Sequence, residues 1–167
     1  MEALFVNRYY PTKKLFEEFY KKTSQKYSKI IGFIGIALLA VTVLTLAWMN
    51  ALDLFLLLFA LVGFSLCLAL ILFHKIMAYG AMRRTLKEHD GKIYQTIVTF
   101  TDKITLREGS VSLSLNYKDI VKTVDCGGLL ALMFSKSSGV IIKKDGFAQG
   151  DFKSFSAFLE KKLSENS

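Results

Sequence analysis

Ile30–Met49 reads IIGFIGIALLAVTVLTLAWM, and Leu54–Phe73 reads LFLLLFALVGFSLCLALILF. Each is a proline-free apolar run of about the ~20 residues needed to cross the hydrocarbon core of a bilayer. Only Asn50-Ala-Leu-Asp53 separates them, and Asp53 is the sole charged residue between Ile30 and Phe73. Two consecutive uncharged spans with a short polar link predict a transmembrane helical hairpin. A buried hairpin of a soluble protein fits poorly, because such helices keep a polar face. A cleaved signal peptide fits no better: the run starts late, is long, and is followed at once by a second.

Working outward, charge is uneven. Residues 1–29 carry a net +4, residues 30–73 carry −1, and the remainder carries +5 of the total +8. Arg8, Lys13, Lys14, Lys21, Lys22, Lys26 and Lys29 precede the first span; Lys75, Arg83, Arg84 and Lys87 follow the second. The turn has no Lys or Arg. Positive flanks stay cytoplasmic, so both termini are expected there. Trp48 and Tyr27 suit the outer and inner interfaces. Asp53 is placed to cap the second helix. Ser65 and Ala69 form a small-residue pair at the spacing that permits close helix contact. Cys67 lies in a span and Cys126 outside it, so no disulfide is expected.

The flanks divide the chain. Residues 1–29 hold a short apolar run, Ala3-Leu-Phe-Val6, then Pro11, then an amphipathic helix with Thr12 as N-cap. Leu15, Phe16, Phe19 and Tyr20 share one face of that helix. It either lies on the inner leaflet or packs on the cytoplasmic part. Residues 30–73 are the hairpin, with spans 30–49 and 54–73. Residues 74–91 form a basic juxtamembrane helix stopped at Gly91. From Lys92 the period changes from helical to two. Val111, Leu113 and Leu115 alternate with Ser110, Ser112 and Ser114, as in a half-buried strand. Strands are expected near 93–100, 103–108, 111–116, 119–125, 129–135 and 139–143, separated by turn residues, including Ser137-Ser-Gly139. Asp151 is a good N-cap for a closing helix whose apolar face is Phe152, Phe155, Phe158, Leu159 and Leu163.

The expected fold is therefore a membrane α-helical hairpin plus an α+β part, residues 92–167. That part reads as a pleckstrin-homology-like antiparallel half-barrel closed by a C-terminal amphipathic helix. Such a barrel usually has seven strands, and six follow the hairpin. Ala3–Arg8 is expected to supply the missing one by pairing with a sheet edge. Pro11 cannot donate a ladder hydrogen bond and would end that strand.

The C-terminal half resembles the YcxB-like family of small bacterial membrane proteins. The matching positions are Tyr117-Lys-Asp119-Ile120, the apolar strand Leu130–Phe134, Ile142-Lys143-Lys144-Asp-Gly-Phe147, Gly150-Asp151 and Phe155-Ser-Ala-Phe158-Leu159. The N-terminal aromatic helix and two spans look similar too. Lys143 stands where the family usually has proline. The resemblance implies an inner-membrane anchor with a cytoplasmic PH-like domain, and it carries no activity with it.

No constellation for catalysis is visible. G-x-S-x-G, P-loop and G-x-G-x-x-G motifs are absent. Glu88-His89-Asp90 holds metal-ligand types, but adjacent helical residues point apart. No Cys/His cluster with zinc spacing occurs. The expectation is no enzyme, no catalytic residue, no metal and no cofactor. Nucleic acid is a poor partner, since the basic groups hug the membrane without a base-reading motif. The candidate lipid or partner contacts are Lys75, Arg83, Arg84, Lys87, Lys143 and Lys144. The first functional reading is a membrane-anchored, non-enzymatic module whose cytoplasmic domain binds a protein or peptide, with strand addition as the mode. The alternatives are an inner-leaflet module for anionic phospholipid and a homo-oligomeric two-span transport or channel component.

Overall fold

The computed structural model describes residues 4–23, 25–51, 53–135 and 138–165. The expected strand start at Ala3, the turn at Ser137 and the Lys26 side chain fall outside the described set.

The chain begins with strand β1 (Phe5–Tyr9). Helix α1 (Lys13–Thr23) follows, with Thr12 Oγ1 accepting from the Leu15 N–H at 3.2 Å. Helices α2 (Gln25–Trp48) and α3 (Leu54–Ile71) are both long and apolar enough to cross a membrane, and the pair is consistent with a membrane protein. Asp53 caps α3: its Oδ1 accepts from the Leu56 N–H at 2.8 Å, as its position predicts. The helix barely pauses before α4 (Phe73–Glu88). Leu72 N–H reaches Leu68 O, and Ile76 N–H reaches Leu72 O. Gly91 at φ +80 ends the run, its N–H returning to Leu86 O at 2.7 Å.

Glycine sets the close approach of α2 and α3. A methyl on Gly32 would stand 2.8 Å from the Cys67 carbonyl oxygen, and one on Gly35 would stand 2.6 Å from the Cys67 sulfur. The expected Ser65–Ala69 pair does not lie at this α2–α3 approach. Both residues are exposed, and the Ser65 hydroxyl donates to Leu61 O in its own helix.

After α4 come β2 (Thr96–Phe100), β3 (Ile104–Glu108) and β4 (Val111–Leu115). A 3-10 turn at Tyr117–Asp119 leads to β5 (Lys122–Asp125), β6 (Leu129–Met133), β7 (Gly139–Lys143) and β8 (Phe147–Gln149). Helix α5 (Phe152–Ser164) closes the chain. Asp151 Oδ1 accepts from the Ser154 N–H at 3.0 Å, which holds the Asp151 carboxyl below its usual range. All pairings are antiparallel. One sheet has the order β4-β3-β2-β1-β8 and the other β5-β6-β7.

The N-terminal strand does pair with the C-terminal part, and more deeply than an edge. Phe5 faces Phe100 and Tyr9 faces Thr96, while β8 joins the other side of β1. The apolar helical hairpin is thus an insertion between two neighbouring strands. Two expectations need correcting. The last strand expected from the sequence ends at 143, but Phe147–Gln149 form β8, because β1 supplies the ladder that three residues cannot make alone. The strand expected from 119 starts at Lys122, since Tyr117–Asp119 coil into the 3-10 turn.

The core lies between the sheets and under two helices. Phe100, Ile104, Leu132, Ile142 and Phe155 are fully buried. Phe155 meets Phe100, Phe5 and Phe147 with ring centroids at 4.5, 5.6 and 5.3 Å. All five residues of β6 are buried, because one face meets the core and α1 covers the other. Leu15 and Phe19 are the α1 residues that reach in. This settles the two readings of α1 in favour of packing on the β-rich part.

Candidate functional surfaces

The six predicted cationic residues do not converge. Lys75, Arg83, Arg84 and Lys87 lie exposed along α4 and make no ion pair among the described residues. His74, at the start of α4, sits among Lys75, Lys21 and Lys29. Burial first, then those charges, holds its imidazole below the usual histidine range against the opposing pull of Glu17. Lys143 and Lys144 are at the β7–β8 turn. Lys144 Nζ bonds Asp125 at 2.8 Å and lies 5.0 Å from the Phe152 ring centroid, so its charge is already matched. That bond, with the Gly127 N–H, holds the Asp125 carboxyl below its usual range. Lys143 Nζ pairs with Asp145 at 3.1 Å.

Lys143 also contributes its backbone. Its N–H donates to Asn7 Oδ1 at 3.1 Å, and its carbonyl accepts from Asn7 Nδ2 at 2.8 Å. A proline here could not donate. Asn7 is fully buried, and its amide imitates one peptide unit of a strand, joining the two sheets. Arg8 N–H to Gly146 O at 2.7 Å extends the same junction.

A buried polar set is found where α4 ends against the first sheet. His89 Nε2 lies 3.4 Å from Glu108 Oε1, with the two side chains 6% and 19% exposed. The Tyr94 ring meets His89 edge-on at 5.1 Å. Tyr9, Thr96 and Glu108 form one cross-strand row. Burial pushes the Glu108 carboxyl above its usual range, while His89 pulls it back. Burial, with Glu108 nearby, raises the Tyr9 hydroxyl too. Glu88-His89-Asp90 thus acts through His89 alone, toward a carboxylate on a strand. No group of three or more metal-ligating side chains occurs among the described residues. The sequence held a signal for Glu108: alternation puts it on the same face as Ile104 and Leu106, a charge on an apolar face.

The third surface is β4. Leu113 faces Leu106, which faces Val98, so all three share the core side of the sheet. Val98 is fully buried, Leu106 is half-buried, and Leu113 is 49% exposed. The cover over this face runs out before the last strand. The expected half-buried strand is therefore open on both faces, with Val111 exposed on the core side and Ser112 and Ser114 on the other. Among the described residues its outer edge has no partner strand. β5, the next strand in the chain, belongs to the other sheet.

No family model matches the chain, and neither a curated protein nor a solved structure matches it.

Proposed function

We propose that the protein is a membrane-anchored, non-enzymatic binding module whose cytoplasmic, pleckstrin-homology-like part captures an extended protein segment by strand addition along β4. The open β4 edge carries this reading. Natural sheets protect a free edge with lysine, proline, a bulge or a covering loop. β4 reads VSLSL, without charge or proline, and leaves Val111 and Leu113 exposed beside it. An added strand would satisfy the edge N–H and C=O groups and cover those two side chains, the usual division between affinity and specificity in this mode.

Five- and three-stranded antiparallel sheets around one core, closed by an aromatic C-terminal helix, support the PH-like reading and its YcxB-like resemblance. The pairing of β1 with β2 supports an even number of crossings. Those strands flank the hairpin in sequence and must meet on one side of any membrane. The basic flanks favour the cytoplasmic side of the inner membrane. An impermeant thiol reagent in intact cells tests this: Asn50→Cys reacts and Lys118→Cys does not, and the reverse result overturns the orientation.

Strand capture is tested with a photo-crosslinking residue at Ser112 of the full chain in cells, and at Lys161 on α5 as control. A discrete adduct at 112 alone is expected. Equal labelling at both positions, or none, removes the proposal. A second reading, contact with anionic phospholipid, draws on the four exposed α4 cations, each worth ~1 kcal/mol near an anionic leaflet. Neutralising all four weakens flotation of the purified chain's cytoplasmic face with added anionic vesicles if that reading holds, and leaves it unchanged otherwise.

A further inference from the structure

A concave groove of about 500 Å³ lies where the start of α1 passes β1 and β7. Among its walls are Arg8, Tyr10, Lys14, Glu18, Gln95 and Lys143. They come from four separate stretches of chain, and the size suits a small molecule. It is distinct from the β4 edge and independent of strand capture.

Its charge is unbalanced in a specific way. Arg8 and Lys14 are exposed and make no ion pair among the described residues. Lys143 is shared with Asp145 at 3.1 Å. Glu18 is the one acid in the wall, and one of its oxygens accepts from the Gly128 N–H at 3.3 Å. The N-terminus of α1 opens here as well. Thr12 occupies the Leu15 N–H, so the N–H groups of Lys13 and Lys14 remain outside the helical ladder. The helix dipole places partial positive charge at the same point. Two unpaired cations and a helix N-terminus across one small cavity match a compact dianion, which meets a guanidinium fork, an ammonium and free N–H groups together.

We propose that this groove binds a phosphate-type dianion carried by a small soluble ligand, with Arg8 and Lys14 as its principal contacts and the Tyr10 ring as an apolar wall. A headgroup in the bilayer offers the same chemistry but is less well placed. α1 packs against α4, which continues α3, and its C-terminal end leads into α2. Its 11 residues span about 16 Å, and the groove lies at the end away from α2.

The test uses the full chain in nanodiscs of neutral phosphatidylcholine, with pyrophosphate as probe and titration calorimetry as readout. Saturable binding is expected. Arg8→Gln with Lys14→Gln weakens it by at least about tenfold. Glu18→Gln keeps the acceptor for Gly128 and removes the repulsion, so it tightens binding by about two- to fivefold. Lys144→Gln, which lies outside the groove, changes nothing. Absence of saturable binding overturns the proposal, as does equal weakening by Lys144→Gln or no tightening by Glu18→Gln. Unchanged melting of the double variant excludes a folding defect as the cause. A second set of nanodiscs carries phosphatidic acid. Unaltered pyrophosphate affinity keeps the source in solution; competition by the lipid overturns the soluble-ligand assignment.

Discussion

Where β1 meets β7, a side chain bonds one sheet to the other; where β4 gives way to β5, no strand-to-strand bond joins the sheets among the described residues, and the Tyr117 hydroxyl in the connection bonds only the Thr101 carbonyl at the β2–β3 turn. At the first seam Asn7 replaces a missing peptide unit with its own amide, and both its bonds go to Lys143. Arg8 N–H adds a bond to Gly146 O, and β8 lies alongside. A glycine is required in this seam: Gly150 at φ +78 packs so tightly on Phe5 that a methyl there would collide with the ring. At the second seam the chain turns through Tyr117–Asp119, and the strands on either side belong to different sheets. Burial follows this division. Val6, Asn7 and Tyr9 of β1 are buried, while Val111 and Leu113 of β4 are about half exposed. One seam is closed by the Asn7 amide and the Arg8 N–H. The other keeps its backbone groups available, which is what a capture edge needs.

The comparison breaks most completely if β1 is removed. Deleting residues 4–9 takes out an interior strand, leaving β8 without its ladder and β2 paired on one side only, with β3. Cooperative unfolding of the β-rich part should disappear, as followed by near-ultraviolet circular dichroism. In the intact chain, the amides of Leu4 and Arg8, bonded to Phe100 O and Gly146 O, should be strongly protected from hydrogen exchange. Rapid exchange there would mean that the first seam is open.

A smaller effect is expected from Phe155→Ala. This ring backs the closed seam through Phe5 and Phe147. Its loss should cost about 3–5 kcal/mol in denaturant melts. A near-neutral result would show that α5 does not brace the seam. Asn7→Leu comes next. It keeps the volume but strands the N–H and C=O of Lys143, for a loss of about 2–3 kcal/mol. An unchanged melt would show that the amide bridge is incidental.

At the open seam the pattern inverts. Leu113→Lys should change stability by no more than about 0.5 kcal/mol, as for an ordinary surface site, yet abolish the crosslink at Ser112. A large destabilisation would make β4 part of the core rather than an edge.

The smallest effect concerns Glu108, which pairs in register with Val111 beside the open edge. Burial raises its pKa above the ordinary 4.5. The folded chain therefore holds that proton more tightly than the unfolded chain. The resulting stability is fully present below the ordinary carboxylate range and is lost as pH rises through the raised value. Glu108→Gln should flatten that limb of the stability curve. An identical curve for both chains would remove the coupling.

Much of this was legible one segment at a time. Hydropathy marked α2 and α3, because the cost of burying charge in hydrocarbon is a property of each residue. Asp53, Thr12 and Asp151 marked helix starts, because a cap bonds an N–H three residues away. Alternation placed β3 and β4, and the shortage of strands after the hairpin pointed back to Phe5–Tyr9. What lay beyond reach involved partners far apart in sequence. Asn7 reads as an ordinary polar strand residue until Lys143 stands beside it, and His89 reads as solvent-facing until Glu108 does. The three residues of β8 have no strand signal of their own and exist only where β1 offers a ladder. The alternation of Val111 and Leu113 fixes which face they share, but not whether anything covers it. Local chemistry settles how each segment is shaped and where helices begin. Only the tertiary structure decides which hydrogen-bonding groups and apolar faces find partners on other elements, and which, as on β4, have none among the described residues.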